Sequence, residues 1–285
     1  MNFEIFHNLV QQALAEDIGG GDLTTTVLIA PDERARAVLV ARQRLVVAGL
    51  PLAEMTFKEL DPELSCQLSV EEGETVAKGT VLMSVEGRAR PILTGERTAL
   101  NFLQHLCGIA TYTKRFVHKL KGRKTVVLDT RKTIPGLRKL QKYAVLMGGG
   151  ENHRFGLYDS ILIKDNHLAL VAGSGPGKIQ RAIRMSRSAL PHKEIEIEVE
   201  TTEELREALE AGADAVLLDN FSPEELTNAV ELTRGRTRLE ASGGINLRSI
   251  STVAASKVES ISLGCLTHSA PAADIALELE LDHSL

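Results

Sequence analysis

The segment "IEIEVETTEELREALEAGADAVLLDN", residues 195–220, contains one complete example of the pattern that decides the fold. It begins with a short β-branched apolar run, continues through a helical pattern and ends in a second apolar run. Thr201 and Glu204 have the spacing of a capping box immediately before the helical pattern. Two short apolar runs joined by a helix predict a βαβ unit, and therefore parallel strands.

Similar apolar runs recur between residues 125 and 264. With the two above they make six predicted strands, the others being "TVVLD" (125–129), "SILIK" (160–164), "TRLEASGG" (237–244) and "SISLG" (260–264). Helix start signals lie between strands, such as Ser222-Pro223 with Glu225, and Asn246 before "LRSISTVAAS". Because a closed barrel needs eight strands, we predict an incomplete (open) α/β barrel over residues 111–269.

The first part of the chain has a different pattern. Apolar and polar residues alternate, as in antiparallel strands, in "RAVLVARQRLVVAGL" (36–50), "LSCQLSVEEG" (64–73) and "ETVAKGTVLMSVEG" (74–87). Helical patterns accompany them in "PLAEMTFKEL" (51–60) and "TGERTALNFLQHL" (94–106). We predict a smaller N-terminal α+β sandwich domain over residues 1–110, with a boundary near 108–114, joined by C-terminal residues 270–285.

Composition excludes several classes of protein. The chain of 285 residues is 43% hydrophobic and 25% charged, as is usual for a globular protein. It has no apolar run long enough to span a membrane, and its N-terminus lacks the basic region of a secretion signal. Three distant cysteines, Cys66, Cys107 and Cys265, favour a reducing cytoplasm over disulfides or zinc. The absence of Trp and the 4% aromatic content argue against a surface that stacks nucleic-acid bases.

Positive charge is concentrated in one region of an acidic chain. The net charge is -5, yet residues 110–164 contain 13 Lys and Arg against 3 Asp and Glu, while the remainder contains 20 against 35. We expect six of these cations to lie on a solvated face: Lys114, Arg115, Lys119, Lys121, Arg123 and Lys124. Others follow predicted strands, and parallel barrels bring the carboxyl ends of their strands to one mouth. Residues expected to meet there are Arg131, Lys164, Glu198, Asp219, Ser242 and Gly264.

Four cations at one mouth indicate a strongly anionic ligand. Arg131, Lys132, Arg154 and Lys164 offer charge-assisted hydrogen bonds that suit a dicarboxylate or a pyrophosphate. The loop "MGGGENHRFG" (147–156) is predicted to be flexible and to bring His153 to the same place, whereas His105 is predicted to be structural. A second flexible loop is predicted at "GSGPGK" (173–178).

The remaining strand ends suit a phosphorylated sugar. Glu198 and Asp219 can hold sugar hydroxyls or, through water, Mg2+. The "SGG" segment (242–244) comes before a predicted helix, so its N–H groups and the helix start can bind phosphate, together with Gly264.

The motifs resemble those of the quinolinate phosphoribosyltransferase family, the carboxylating nicotinate-nucleotide pyrophosphorylases. The most specific block is "LDTRKTIPGLRKLQKYAVLMGGGENHRFGLYDSILIKDNH" (128–167). Shorter blocks occur in the family's order: "EDIGGGDLTT" (16–25), "ERTALNFLQ" (96–104), "EIEVET" (196–201), "LLDNF" (217–221), "EASGGI" (240–245) and "LGCLTHS" (263–269).

The resemblance implies a cytoplasmic enzyme of NAD biosynthesis. It would transfer phosphoribose from 5-phosphoribosyl 1-pyrophosphate to the ring nitrogen of quinolinate, giving nicotinate mononucleotide, pyrophosphate and CO2, with Mg2+ as cofactor. It also implies a homodimer with shared active sites, and in some assemblies a hexamer of dimers. The N-terminal domain of one subunit would close the barrel of the other, and neither nucleic acid nor membrane would be a partner.

The resemblance also assigns roles by motif. Quinolinate would be bound by Arg97 of the neighbouring subunit and by Thr130, Arg131, Lys132, His153, Arg154 and Lys164. Phosphoribosyl pyrophosphate would be bound by Lys132, Glu198, Asp219, Ser242, Gly243, Gly244, Leu263 and Gly264. Lys132, Lys164, Glu198 and Asp219 would be catalytic, and Glu198 and Asp219 would hold the metal, in part through water.

Three alternatives remain open on sequence alone. A molybdenum-locus paralogue of the same fold would act on a different substrate. A non-catalytic protein would use the basic region to bind nucleic acid or another polyanion, although Glu198 and Asp219 would then have no role. An aldolase-like barrel would use Lys164 as a Schiff base, which leaves the arginines unexplained.

Overall fold

The computed structural model describes residues 1–171 and 177–280. The helices and strands up to residue 119 are α1 (His7–Ile18), α2 (Leu23–Leu28), β1 (Arg34–Ala41), β2 (Leu45–Val46), α3 (Leu50–Leu60), β3 (Ser65–Leu68), β4 (Thr75–Val76), β5 (Val81–Arg88) and α4 (Ala89–Lys119). Those that follow are β6 (Val126–Leu128), α5 (Arg138–Met147), β7 (Ile161–Ile163), α6 (Asp165–Leu170), α7 (Lys178–Ala189), β8 (Ile195–Val199), α8 (Thr202–Ala211), β9 (Ala215–Asp219), α9 (Pro223–Thr233), β10 (Arg238–Ser242), α10 (Ile250–Val253), β11 (Ser260–Ser262), α11 (Cys265–His268) and β12 (Ile275–Glu280).

The chain forms two compact units. The first contains Met1–Lys114, Leu140–Gly149 and the C-terminal segment from Ala270, and the second contains Arg115–Lys139 and Gly150–Ser269. Most of the predicted loop 173–178 and the last five residues lie outside the described residues. Along the described chain, no helix combines the length and apolarity needed to cross a membrane.

The first unit is built on an antiparallel sheet with the strand order β12-β1-β5-β3, beside a short β2-β4 pair. Its apolar core joins β1 and β5 to α3 and α4, through fully buried side chains such as Leu39, Phe57, Leu82 and Leu103. Burial of each of these side chains contributes about 1.5–3 kcal/mol to folding. The predicted α+β architecture is confirmed.

Helix α4 runs for 31 residues through the predicted boundary at 108–114. Gly108 lies within this helix, at a close packing contact. A Cβ at this position would lie 2.2 Å from the carbonyl oxygen of Pro271, so only glycine lets the segment before β12 pass so close to the helix.

Helix α5 also differs from the sequence-based division, which placed it in the barrel. Within the first unit, the Tyr143 hydroxyl donates to Glu72 Oε2 at 2.6 Å, and Gln141 Nε2 lies 3.0 Å from His105 Nε2. Burial lowers the pKa of His105, in keeping with its predicted structural role. The unit to which this helix belongs is decided by side-chain contacts between distant parts of the chain. Such contacts leave no local pattern in the sequence.

The second unit contains a parallel sheet of six strands in the order β6-β11-β10-β9-β8-β7, as predicted. Strands β6 and β7 are its two edges, which makes the barrel open. The predicted helix starts are confirmed: the Thr201 hydroxyl accepts the Glu204 N–H, and Ser222 and Glu225 form a capping box. The helix predicted after Asn246 is shorter than expected, because a turn precedes the four residues of α10.

The glycine-rich segment beside β6 is held in place, contrary to the prediction of a flexible loop. The Glu151 N–H donates to Val127 O at 2.8 Å, and the Asp129 N–H donates to Glu151 O at 3.1 Å. Leu128 and Glu151 thus form a parallel bridge at the open edge of the sheet. This bridge fixes the backbone immediately before His153 and Arg154.

Candidate active site

The predicted site residues of the second unit follow its strands at the carboxyl end of the parallel sheet. Thr130, Arg131 and Lys132 come after β6, Lys164 after β7, and Leu263 and Gly264 after β11, while Glu198, Asp219 and Ser242 lie in the last two positions of β8, β9 and β10. Parallel strands present these ends on one side of the sheet. The sequence-based placement of these residues is therefore confirmed, although their roles stay predictions.

The turn after β6 is shaped by Arg138, which the sequence analysis did not single out. Its guanidinium donates to Thr133 Oγ1 at 3.0 Å, to Phe155 O at 3.1 Å and to Arg131 O at 3.4 Å. One side chain therefore joins the Arg131 turn to the loop that carries Arg154. Its position in the basic run "RKTIPGLRK" (131–139) indicates positive charge but does not indicate this structural role.

Two guanidinium groups, those of Arg131 and Arg154, form the most distinctive feature of the site. The Nε atom of each is buried and has no hydrogen-bond partner within the described residues. Arg154 Nη1 donates to Ser160 O at 2.9 Å, at the residue immediately before the amino-terminal end of β7. Burial and repulsion by Arg131 lower the pKa of Arg154. Two cations that repel each other and have unused donors suit a ligand with more than one negative charge.

Lys164 and the two strand-end carboxylates form a second group. The Lys164 ammonium donates to Glu198 Oε2, so these side chains are ion-paired across β7 and β8. Asp219 accepts a hydrogen bond from Asn220 Nδ2 at 2.8 Å and is partly exposed at the end of β9. The carboxylates therefore lie on neighbouring strands and supply hard oxygen ligands.

Lys132 lies against the end of β11. Its backbone N–H donates to Thr130 Oγ1 at 3.0 Å, and its carbonyl accepts the Thr267 hydroxyl at 2.7 Å. A Cβ on Gly264 would come within 2.8 Å of Lys132 Cδ. Glycine at this position thus lets the lysine side chain cross the strand end, with its Cδ against Gly264.

The "SGG" turn after β10 has a backbone that glycine alone adopts easily. Gly243 and Gly244 have φ angles of 96° and 58°. A Cβ on Gly243 would lie 2.2 Å from Asn220 Oδ1, while the Asn220 N–H donates to Ser242 O at 3.0 Å. The turn is thus packed closely against the end of β9. The helix expected to follow it directly begins only at Ile250, so the turn itself supplies the N–H groups.

His153 lies inside the open barrel, among acids that the sequence analysis missed. Its Nε2 lies 2.9 Å from Glu196 Oε2 and 3.6 Å from Glu240 Oε2, and its backbone N–H donates to Asp129 Oδ1 at 2.9 Å. Glu196 alternates with Glu198, and Glu240 with Ser242, so each acid shares the inward face of its strand with a predicted site residue. The alternation of these residues along each strand was the pattern from which the two acids could have been predicted.

The remaining predicted cations are exposed. Arg97 lies on α4 in the first unit, 4.0 Å from Glu96. The six cations expected on a solvated face are all exposed, which confirms that prediction.

Comparison with known proteins is consistent along the whole chain. Residues 22–107 and 109–278 match the family models for the N-terminal and C-terminal domains of quinolinate phosphoribosyl transferase. A probable carboxylating nicotinate-nucleotide pyrophosphorylase of Bacillus subtilis is 42% identical over 284 residues, covering 99% of this chain and 96% of the relative. A protein of the same description from Methanocaldococcus jannaschii is 42% identical over 281 residues, covering 95% and 96%.

Solved structures give the same result. NadC from Streptococcus pyogenes superimposes with a TM-score of 0.93 and 39% identity, covering 99% of each chain. The nicotinate-nucleotide pyrophosphorylase of Francisella tularensis gives a TM-score of 0.92 and 38% identity, covering 98% of each. The chain therefore belongs to the quinolinate phosphoribosyltransferase family.

Proposed function

We propose that this protein transfers the phosphoribosyl group of 5-phosphoribosyl 1-pyrophosphate to the ring nitrogen of quinolinate. The products are nicotinate mononucleotide, pyrophosphate and CO2, which places the protein in NAD biosynthesis. Membership of the family supports this reaction. The observation that carries it is the Arg131 and Arg154 pair, whose buried Nε donors face no protein acceptor in the described residues.

Quinolinate supplies the negative charge and the acceptor geometry that these two guanidinium groups lack within the described part of the chain. Its two adjacent carboxylates offer planar acceptors for two guanidinium forks. Binding would also relieve the repulsion that lowers the pKa of Arg154. Lys132 and Lys164 add positive charge after β6 and β7, and nicotinate, with one carboxylate, would leave part of this charge unpaired.

The transfer step needs positioning and electrostatic stabilisation more than proton transfer. The pyridine nitrogen of quinolinate is the nucleophile and carries no proton, so no general base is required. The site holds that nitrogen in line with the anomeric carbon of the sugar. Lys132 stabilises the departing pyrophosphate, while Glu198 and Asp219 lie near the positive charge that develops on the sugar ring.

Decarboxylation follows from the charge left on the pyridine ring. After transfer the ring nitrogen is cationic, so it stabilises the electron pair that stays on the adjacent ring carbon when the carboxylate leaves as CO2. The ring carbon then takes up a proton to give nicotinate mononucleotide. The "SGG" turn and Gly264 would hold the 5′-phosphate of the sugar through backbone N–H groups.

The carboxylates fit a magnesium ion. Mg2+ in phosphate-binding sites is held by one or two carboxylates, often with water, together with the substrate phosphates. Asp219 and Glu198 provide such oxygens on neighbouring strands, although Glu198 is also paired with Lys164. When bound, the ion would supply positive charge to the pyrophosphate group. We propose in addition that Arg97 reaches quinolinate from a second subunit of a homodimer.

The ion pair of Lys164 bears on the aldolase-like alternative. Schiff-base formation requires the free lone pair of the lysine amine to attack a carbonyl carbon, and in this structure the amine is engaged by a carboxylate. The contact with Glu198 therefore favours a role in binding and charge stabilisation over covalent catalysis.

The test is incubation of the purified protein with quinolinate, phosphoribosyl pyrophosphate and Mg2+. CO2 and pyrophosphate are followed together, and the nucleotide product is identified by mass spectrometry. Arg131→Ala should fold and lose turnover, whereas Arg123→Ala, at an exposed position in the same basic region, should keep it. A folded wild-type protein that forms no product, or that uses nicotinate equally well, would contradict the proposal.

A further inference from the structure

Three polar groups inside the open barrel, those of His153, Glu196 and Glu240, have no part in the mechanism above. Glu196 and Glu240 are 5% and 4% exposed, and both carboxylates approach His153 Nε2, at 2.9 Å and 3.6 Å. They line a cavity of about 550 Å3 together with residues at the amino-terminal ends of the strands, including Glu194 and Arg238. Because buried carboxylates are costly, their presence requires a reason.

A metal ion is one candidate occupant, since the three groups offer ligand atoms within 4.8 Å of one another. The hydrogen bonds of His153 argue against it. The Arg154 backbone N–H donates to His153 Nδ1 at 2.8 Å, so Nδ1 carries no proton. The proton of a neutral imidazole is then on Nε2, which donates to Glu196 and has no lone pair for a metal.

The charges of the cluster are consistent with that tautomer. Burial and the neighbouring Glu196 raise the pKa of Glu240 to about 7, while His153, Ser262 and Arg238 oppose the rise. Two adjacent buried carboxylates therefore share their site by having Glu240 protonated over part of the neutral range. Glu196 Oε2, at 2.9 Å, is the nearer acceptor for His153 Nε2.

The other side of His153 connects the cluster to the anion site. Its backbone N–H donates to Asp129, which is fully buried, and its Nδ1 accepts from the Arg154 backbone. The imidazole ring therefore joins β8 to the backbone that carries the Arg154 guanidinium. Both ring nitrogens are occupied by protein groups, so a direct hydrogen bond from the ring to quinolinate would have to replace one of these contacts.

We propose that Glu196 and Glu240 are positioning residues, which hold His153 in one orientation and one tautomer and thereby fix the backbone of Arg154 for quinolinate. The proposal rests on the proposed function, and it adds an orienting role for two buried acids to the quinolinate contact that the family resemblance implies for His153. It predicts a spectroscopic signature that does not depend on turnover.

The first test is the 15N spectrum of histidine-labelled wild-type protein, with the His153 signals assigned by their loss in His153→Gln. At neutral pH we expect Nδ1 at the shift of an unprotonated ring nitrogen and Nε2 at that of a protonated one. Glu196→Ala should let the two tautomers exchange, while Glu196→Gln, whose amide oxygen can still accept from Nε2, should retain the wild-type signals. A protonated Nδ1 in the wild type would overturn the proposal, even if no variant folds.

The second test is the kinetic comparison of the two substrates. Glu196→Ala should raise KM for quinolinate about ten- to a hundredfold, the range for loss of one hydrogen bond to a charged group, and change KM for phosphoribosyl pyrophosphate less than about threefold. Glu240→Gln keeps a neutral side chain and should change the quinolinate KM less than Glu196→Ala does. Glu194→Ala is the matched control, since it removes an exposed acid of the same cavity that is paired with Arg238.

The outcomes distinguish the positioning role of the two acids from the proposed function. An unchanged quinolinate KM and unchanged His153 signals in Glu196→Ala would refute the positioning role. Equal increases in both KM values would also refute it, because they would indicate a general structural effect. A wild-type protein that forms no product contradicts the proposed function alone, since the His153 spectrum is measured without substrate.

Discussion

Replacement of Arg131 by methionine tests whether the paired guanidinium groups are arranged for a ligand at the expense of stability. Methionine keeps much of the apolar stem and removes the charge, so it leaves a smaller cavity than alanine. Repulsion by Arg131 is among the causes that lower the pKa of Arg154. We therefore expect the ligand-free variant to be more stable than the wild type and the binding of quinolinate to be weaker.

The change in stability and the change in quinolinate affinity have different physical causes. Like charges at a partly buried site repel by about 1–2 kcal/mol, and because Arg154 is partly exposed, solvent screening reduces the gain to about 1 kcal/mol. For a chain of this size that is an increase in Tm of about 2 °C. Loss of two charge-assisted hydrogen bonds to a carboxylate costs at least about 3 kcal/mol, which weakens Kd by about a hundredfold or more.

Calorimetry measures both quantities on the same samples. Thermal unfolding without ligand gives the change in Tm, and isothermal titration with quinolinate gives the change in Kd. Arg123→Met is the control, because it removes an arginine from an exposed position and changes the net charge equally. An Arg131 variant that is less stable than this control and binds quinolinate normally would refute the assignment of Arg131 to the anion site.

Three further predictions concern other parts of the molecule. Mixing inactive Arg97→Ala with inactive Lys164→Ala subunits should restore part of the activity if sites are shared between subunits, and no recovery would contradict sharing. Because the folded pKa of Glu240 is raised from 4.5 to about 7, its stabilising contribution is complete below pH 4.5 and is lost as pH rises through 7. Glu240→Gln should therefore gain in unfolding free energy relative to wild type between pH 5 and 8, by up to about 3 kcal/mol, and a difference independent of pH in denaturant titrations would disprove the shift. Gly243→Ala should lose about 1–3 kcal/mol of stability, because φ is 96° and its Cβ would meet Asn220, and should raise KM for phosphoribosyl pyrophosphate; an unaltered denaturation midpoint would contradict this.

Features encoded by local physics could be predicted from the sequence. The six parallel strands follow from short apolar runs, and the starts of α8 and α9 follow from capping boxes whose hydrogen bonds the structure contains. The convergence of strand-end residues follows from the parallel arrangement alone, so Arg131, Lys164 and Asp219 could be placed at one end of the sheet.

Features that depend on contacts between distant segments could not be predicted. The segment before Arg154 was read as flexible from its glycines, although Glu151 pairs with β6 and fixes it. Helix α5 has the same amphipathic pattern whichever unit it packs against. The His153 cluster joins three segments of the chain, and its two acids look like ordinary alternation in "IEIEVE" (195–200) and "RLEAS" (238–242).

The buried acids also explain how a cationic site can persist in the absence of its substrates. Repulsion by Arg131 lowers the pKa of Arg154, and attraction by Glu196 raises it. Glu196 is thus placed to stabilise the charged Arg154 guanidinium from inside the barrel, while its carboxylate also accepts the hydrogen bond from His153. An anion that binds Arg154 then meets a guanidinium that is already charged and held by its backbone, so less of the binding energy is spent on ordering it. On this reasoning, Arg131→Met should stabilise the Glu196→Ala protein by more than it stabilises the wild type, without restoring quinolinate binding. Two stability changes that simply add would show that Glu196 and Arg131 do not act on the same guanidinium.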